Sequence, residues 1–282
     1  MPTPPNAIVV GLDGGPDSAR ALAWAIEEAL RRHASLHAVH ALPVGSGVLP
    51  LIPADLQALR DHADRLLAAA RDTAGDRVPI TTEVLERSAA PSLLDLGKGA
   101  LMIVVGARGH GRARELLLGS VSGHVSRHAA CPVVTVRAPA DPRQDRIIVG
   151  VDGSPVSDVA IGFAVETAAL SGAPVVAIHG WHGYDARFGN TDGGRSRTVA
   201  RVAAAERMLE EAVAGWAVKF PSVNLSCEAI PRHPALVLAD ASEHAALVVV
   251  GARGHGEFAG MLLGSVSHSV LQHAQCPVAV VR

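Results

Sequence analysis

Six glycines and two serines in this 282-residue chain stand at a spacing suited to holding an anion. Gly106 closes an apolar run, Gly109 follows after two residues, and Gly119-Ser120 opens a helical stretch nine residues further on, giving G-x2-G-x9-G-S. Gly251, Gly254 and Gly264-Ser265 repeat the pattern. Glycine lets the main chain approach a ligand closely, and the unpaired amides and positive dipole at a helix start attract negative charge. A diphosphate or triphosphate meets these requirements. Ser120 and Ser122 add hydroxyl donors, and Ser120 is also placed to cap the helix. Arg108 either adds positive charge to the loop or points to solvent. No lysine precedes a Ser or Thr in the manner of a Walker loop, so the machinery of a fast P-loop NTPase is missing. A G-x-G-x-x-G fingerprint after the first apolar run is missing too.

Asp13 and Asp152 each end an apolar run and precede glycine. Either carboxylate reaches the adenosine part of a ligand or a phosphate-bound Mg2+, or it caps the turn that follows. The 14 histidines show no HExxH spacing, and His62, His182 and His244 have no counterparts in the other half, so the metal identity stays open. His110 and His255, inside the glycine loops, face phosphate or solvent. Cys131, Cys227 and Cys276 are odd in number and form no CxxC pair, which favours reduced, mostly buried thiols over a disulfide framework.

The elements behind these residues occur twice. Ile8-Val9-Val10-Gly11-Leu12-Asp13-Gly14 returns as Ile147-Ile148-Val149-Gly150-Val151-Asp152-Gly153, 139 positions on, while the glycine loops are 145 apart. A six-residue insertion between Ala41 and Val78 accounts for the difference, in the region where the second half carries the polar stretch Gly183 to Arg197. A period this long means duplication of a whole domain. The expected units are residues 1–137 and 146–282, joined by a linker at 138–145. Within each, apolar β-branched runs alternate with helical stretches such as 17–33, whose apolar residues recur every three or four positions. The resulting α/β domains are expected to be open five-stranded parallel sheets with helices on both faces, binding ligands at the carboxyl ends of the strands.

A net charge of -2, mixed along the chain, supplies no basic field for nucleic acid or an anionic membrane. Apolar runs are too short to span a bilayer, and Met1 to Asn6 lacks the pattern of a secretory leader, so a cytoplasmic protein is expected.

The G-x2-G-x9-G-S loop, the Asp after the first strand and the closing Cys-Pro-Val strand resemble the universal stress protein family, over residues 7–137 and 146–282. Two copies resemble its tandem members, and the intact loops resemble its ATP-binding branch. The resemblance implies two flavodoxin-like, adenine nucleotide alpha hydrolase-like domains. It implies nucleotide contacts from Asp13, Ala41, Gly106, Arg108, Gly109, Gly119, Ser120, Val121 and Ser122. In the second copy it implies Asp152, Gly180, Gly251, Arg253, Gly254, Gly264, Ser265, Val266 and Ser267. Ala41 and Gly180 are smaller than the residue expected beside adenine. The expected function is an ATP-binding, nucleotide-dependent stress-response module, with ATP, and Mg2+ on its phosphates, as cofactor. The alternatives are a weak ATP hydrolase and a nucleotide-free scaffold. No general base is paired with a water position, so any hydrolysis is expected to be slow. The family resemblance also implies pairing of the domains through their apolar last strands and a homodimer. Arg112 and Arg114, absent from the second loop, suggest tighter binding in the first copy.

Overall fold

The computed structural model describes residues 6–42, 53–109, 118–138, 145–181, 192–255 and 262–282. The chain divides into two compact units, Met1–Ala138 and Pro139–Arg282. In the first, strands β1 (Ala7–Gly11), β2 (Ser35–Ala41), β3 (Ile80–Leu85), β4 (Met102–Gly106) and β5 (Val133–Val136) alternate with helices α1 (Pro16–Arg32), α2 (Pro53–Ala74), α3 (Ala89–Gly97) and α4 (Ser120–His128). The second repeats the order with β6 (Arg146–Gly150), α5 (Pro155–Ser171), β7 (Val175–Gly180), α6 (Asp192–Lys219), β8 (Leu225–Ile230), α7 (Pro234–Ala241), β9 (Ala245–Gly251), α8 (Ser265–His273) and β10 (Val278–Val281). The six-residue insertion appears here as helix length, since α6 has 28 residues where α2 has 22.

The strand order is β3-β2-β1-β4-β5 in the first domain and β8-β7-β6-β9-β10 in the second. Neighbouring strands within each domain run parallel. The chain builds outward from β1 to β3, then crosses back to place β4 on the other side of β1. Such a reversal opens a crevice at the carboxyl ends of the two central strands. Val9, Ile103 and Val133 are buried with Leu93 of α3 and Val125 of α4 on the sheet face that carries the crevice. Unbroken apolar runs suit strands covered on both faces.

Helix α1 ends on His33 at φ 50, a left-handed conformation, where the corresponding helix α5 ends on Gly172 at φ 76. A side chain in that region is strained by contact with its own carbonyl. His33→Gly is therefore expected to stabilise domain 1 by roughly 0.5–1 kcal/mol, and Gly172→Ala to destabilise domain 2 by about 1 kcal/mol. Urea unfolding monitored by hydrogen exchange in each domain reads both shifts.

His37 of β2 is buried, with Nδ1 2.9 Å from Thr81 Oγ1 and Nε2 3.2 Å from Glu83 Oε2 on β3. Burial holds the imidazole below its ordinary value near 6.5, and the Glu83 carboxylate offsets this only in part. A base whose folded pKa is lowered takes up its proton more readily when unfolded. Its contribution is whole above about pH 6.5 and is lost as the pH falls below that value. The urea midpoint of domain 1 is expected to drop from pH 7 to pH 5. The drop should be smaller in His37→Val, which installs the residue of the second domain, Val176. Equal drops in the two proteins would contradict the assignment.

Candidate functional site

Both first strands end in the same turn. Asp13 Oδ1 accepts the Gly15 N–H at 2.8 Å, and Asp152 Oδ1 accepts the Ser154 N–H at 3.0 Å. Each carboxylate thus caps the turn with one oxygen, leaving the other to face the crevice. In domain 2 that second oxygen, Oδ2, accepts the His255 N–H at 3.1 Å. Burial raises the Asp152 carboxyl, but hydrogen bonds from Ser154, His255 and Ser157 outweigh it and hold the group below the usual carboxylate range. The ionised form is therefore secured beside the second glycine loop.

The glycines bring main chain against main chain. A Cβ on Gly106 would stand 2.8 Å from Asp17 C and from Ser18 N, so only glycine lets β4 end directly under α1. A Cβ on Gly254 would stand 1.9 Å from Asp152 Oδ2. Gly119 and Gly264 are the N-caps of α4 and α8 at φ -62 and -68, and neither helix start has a side-chain cap. Ser120 was expected to cap α4, but it is the first helical residue. The open amides of the first turn are consequently offered to whatever fills the crevice.

The Ser122 hydroxyl is spent on the loop. It is buried and donates to Ala107 O at 3.1 Å and Gly119 O at 3.0 Å, as Ser267 donates to Gly251 O at 2.5 Å. These bonds tie the end of the central strand to the helix start, leaving the Ser120 and Ser265 hydroxyls as the donors not used in this way. Arg108 does not stand alone: its Nε lies 3.2 Å from Asp17 Oδ2.

In each domain the nine residues singled out in the sequence border one cavity. The first, of about 130 Å3, has Val39, Leu85 and Leu93 as its apolar wall; the second, of about 290 Å3, has Ile178, Leu238 and Val250. Gly180 has a packing reason, because a Cβ there would meet Pro234 Cα at 2.7 Å, at the start of α7. Sequence reading missed His40 and His179. Each ring uses Nδ1 to donate to the carbonyl just before the site aspartate, at 2.7 Å from Leu12 O and from Val151 O. Their recurrence at the 139-residue offset was the available signal. Among the described residues no three of His, Cys, Asp or Glu gather to hold a metal, and no helix is long and apolar enough to cross a membrane. Cys131 and Cys276 are buried thiols and Cys227 is exposed. His110, Arg112, Arg114 and residues 257–260 lie outside the described residues, as do 139–144 of the expected linker.

The family model for "Universal stress protein family" matches this chain twice, at residues 5–137 and 144–282. The chain belongs to that family. Universal stress protein Rv2623 of Mycobacterium tuberculosis is 36% identical, with 98% of this chain and 96% of that protein covered. A universal stress protein of Mycolicibacterium smegmatis is 34% identical, again with 98% and 96% covered. Among solved structures, a universal stress protein from Archaeoglobus fulgidus has a TM-score of 0.71 at 21% identity, covering 98% of this chain and 96% of its own. That likeness shows the mixed α/β fold of this family.

Proposed function

We propose that each domain binds an adenine nucleotide, ATP foremost, and that the chain acts as a nucleotide-dependent module of the stress response. The observation that carries this reading is the placement of the uncapped start of α4 or α8, the close-packed glycines and one aspartate around a single cavity in each domain. The phosphates would lie at the first-turn amides of Ser120 to Ser122 and of Ser265 to Ser267, with the main chain at Gly109 and Gly254 allowing close approach. The apolar wall suits the flat face of a purine, and Ala41 and Gly180 sit at the strand ends where its edge would meet main chain. Asp13 or Asp152 supplies one carboxylate, so Mg2+ would arrive on the phosphates, which would complete its oxygen shell together with water. Within this reading any hydrolysis is slow.

The boundary at 138–145, a cytoplasmic location, pairing through the last strands and a homodimer belong to the same proposal. Their support is the Pro-containing segment, the absence of a basic field and the apolar edge strand that closes each domain's own sheet. Sedimentation of the purified chain reads the oligomeric state.

Thermal unfolding with added ATP and Mg2+ tests the central reading. A ligand at a hundred times its Kd stabilises by about 2.7 kcal/mol, which for a domain of this size raises Tm by several degrees. Unfolding of both domains that ignores millimolar ATP would instead support a scaffold with structural loops.

A further inference from the structure

We propose that Asp17 makes the two cavities unequal. It engages Arg108 Nε, so the domain 1 cavity takes nucleoside monophosphates and triphosphates with little preference between them. The domain 2 cavity has Val156 in that place and leaves Arg253 to meet a triphosphate. The inference rests on the nucleotide reading above and assigns a ligand preference to each site.

Asp17 lies in the first turn of α1 with its side chain only 4% exposed. Oδ2 is 3.2 Å from Arg108 Nε and Oδ1 is 2.7 Å from Arg20 Nη1. Its main chain packs against Gly106, the first glycine of the loop. Val156 fills the same seat in domain 2, where its Cγ1 would lie 2.9 Å from a Cβ on Gly251. The position of Arg20 is taken by Val159. Among the described residues the Arg253 side chain has no ion-pair or hydrogen-bond partner, although it borders its cavity as Arg108 borders the other.

The consequence is electrostatic. Arg108 can meet a phosphate with its Nη donors while its Nε–H stays on Asp17, but the carboxylate takes one of its donors and offsets part of its charge, so each phosphate added to the ligand gains less from it. Arg20 remains on Oδ1, so the carboxylate is never stripped bare, and the effect sits at the low end of a charged hydrogen bond, about tenfold in affinity. Among the described residues nothing restrains Arg253 in this way. A second observation points the same way: the domain 2 cavity is about 290 Å3 against about 130 Å3, and it has Gly180 where domain 1 has Ala41. For ATP this ranking is the opposite of the tighter binding in the first copy expected from Arg112 and Arg114, which lie outside the described residues.

Calorimetric titration of the full chain with ATP and with AMP tests this, using Gly264→Glu to leave only the first cavity and Gly119→Glu to leave only the second. The second cavity should prefer ATP over AMP by about tenfold or more, and the first by much less. In the Gly264→Glu protein, Asp17→Val and the near-isosteric Asp17→Asn should each raise the ATP preference by about tenfold while AMP affinity stays near its starting value. Val156→Asp in the Gly119→Glu protein should lower the preference. An ATP-to-AMP preference unchanged by Asp17→Asn and Asp17→Val overturns the inference and leaves the nucleotide reading intact. Failure of either single-cavity protein to bind any adenine nucleotide, with folding intact by circular dichroism, overturns the nucleotide reading itself.

Discussion

A chain carrying both Gly109→Asp and Gly254→Asp is expected to lose at least about a hundredfold in ATP affinity, some 2.7 kcal/mol at each site. The geometry gives two reasons. A Cβ at Gly109 would lie 2.8 Å from Asp13 Oδ2, and one at Gly254 would lie 1.9 Å from Asp152 Oδ2. The new side chain must displace the site carboxylate, and it adds a second negative charge where phosphate should sit. Like charges brought together in a confined site cost several kcal/mol. Domain 2 should respond more strongly, because its contact is closer and Asp152 also holds the His255 N–H at 3.1 Å. Calorimetry with ATP on the single and double variants, alongside circular dichroism, checks the ranking. Undiminished binding in a folded double variant would remove the glycine loops from the site.

Gly106→Val is the second large effect, and it falls on the fold before it falls on binding. The atoms that a Cβ would meet there, Asp17 C and Ser18 N at 2.8 Å, are main chain of α1 rather than the end of a flexible side chain. Helix α1 must therefore back away from β4, loosening Ser18, which donates to Gly15 O at 3.0 Å, and the Asp17 to Arg108 ion pair. A destabilisation of about 3 kcal/mol is expected, the upper range for overpacking a tight contact. Gly99→Ala serves as the control, since nothing lies within 4 Å of the Cβ it would add. Hydrogen exchange followed peptide by peptide should show domain 1 losing protection while domain 2 keeps it. Equal protection in both variants would mean that the close approach of α1 to β4 is not needed.

The glycine spacing was legible because it is local and because the chain carries it twice, so a chance match in one half is checked by the other. The alternation of strand and helix was legible for a similar reason: buried parallel strands are short, continuous apolar runs, and the helices between them show a different period. What sequence reading missed lies in contacts between segments far apart in the chain. Arg108 and Asp17 are 91 positions apart and meet only because α1 packs over the end of β4. His40 reaches Leu12 O only once β2 is seated beside β1. The assignment of Ser120 as the cap of α4 went astray by one position, because glycine serves as an N-cap without a side-chain oxygen to announce it. The six inserted residues were legible as extra length but not as an element: Asp192–Lys219 is continuous helix, six residues longer than Pro53–Ala74.

Denaturing the purified chain and identifying the released small molecules by mass spectrometry, after incubation with ATP and removal of the excess, tests the central claim most directly. The account predicts up to two adenine nucleotides per chain, absent from the folded Gly109→Asp, Gly254→Asp variant. A chain that releases none, and whose unfolding ignores added ATP, would contradict it and make the loops a matter of architecture alone.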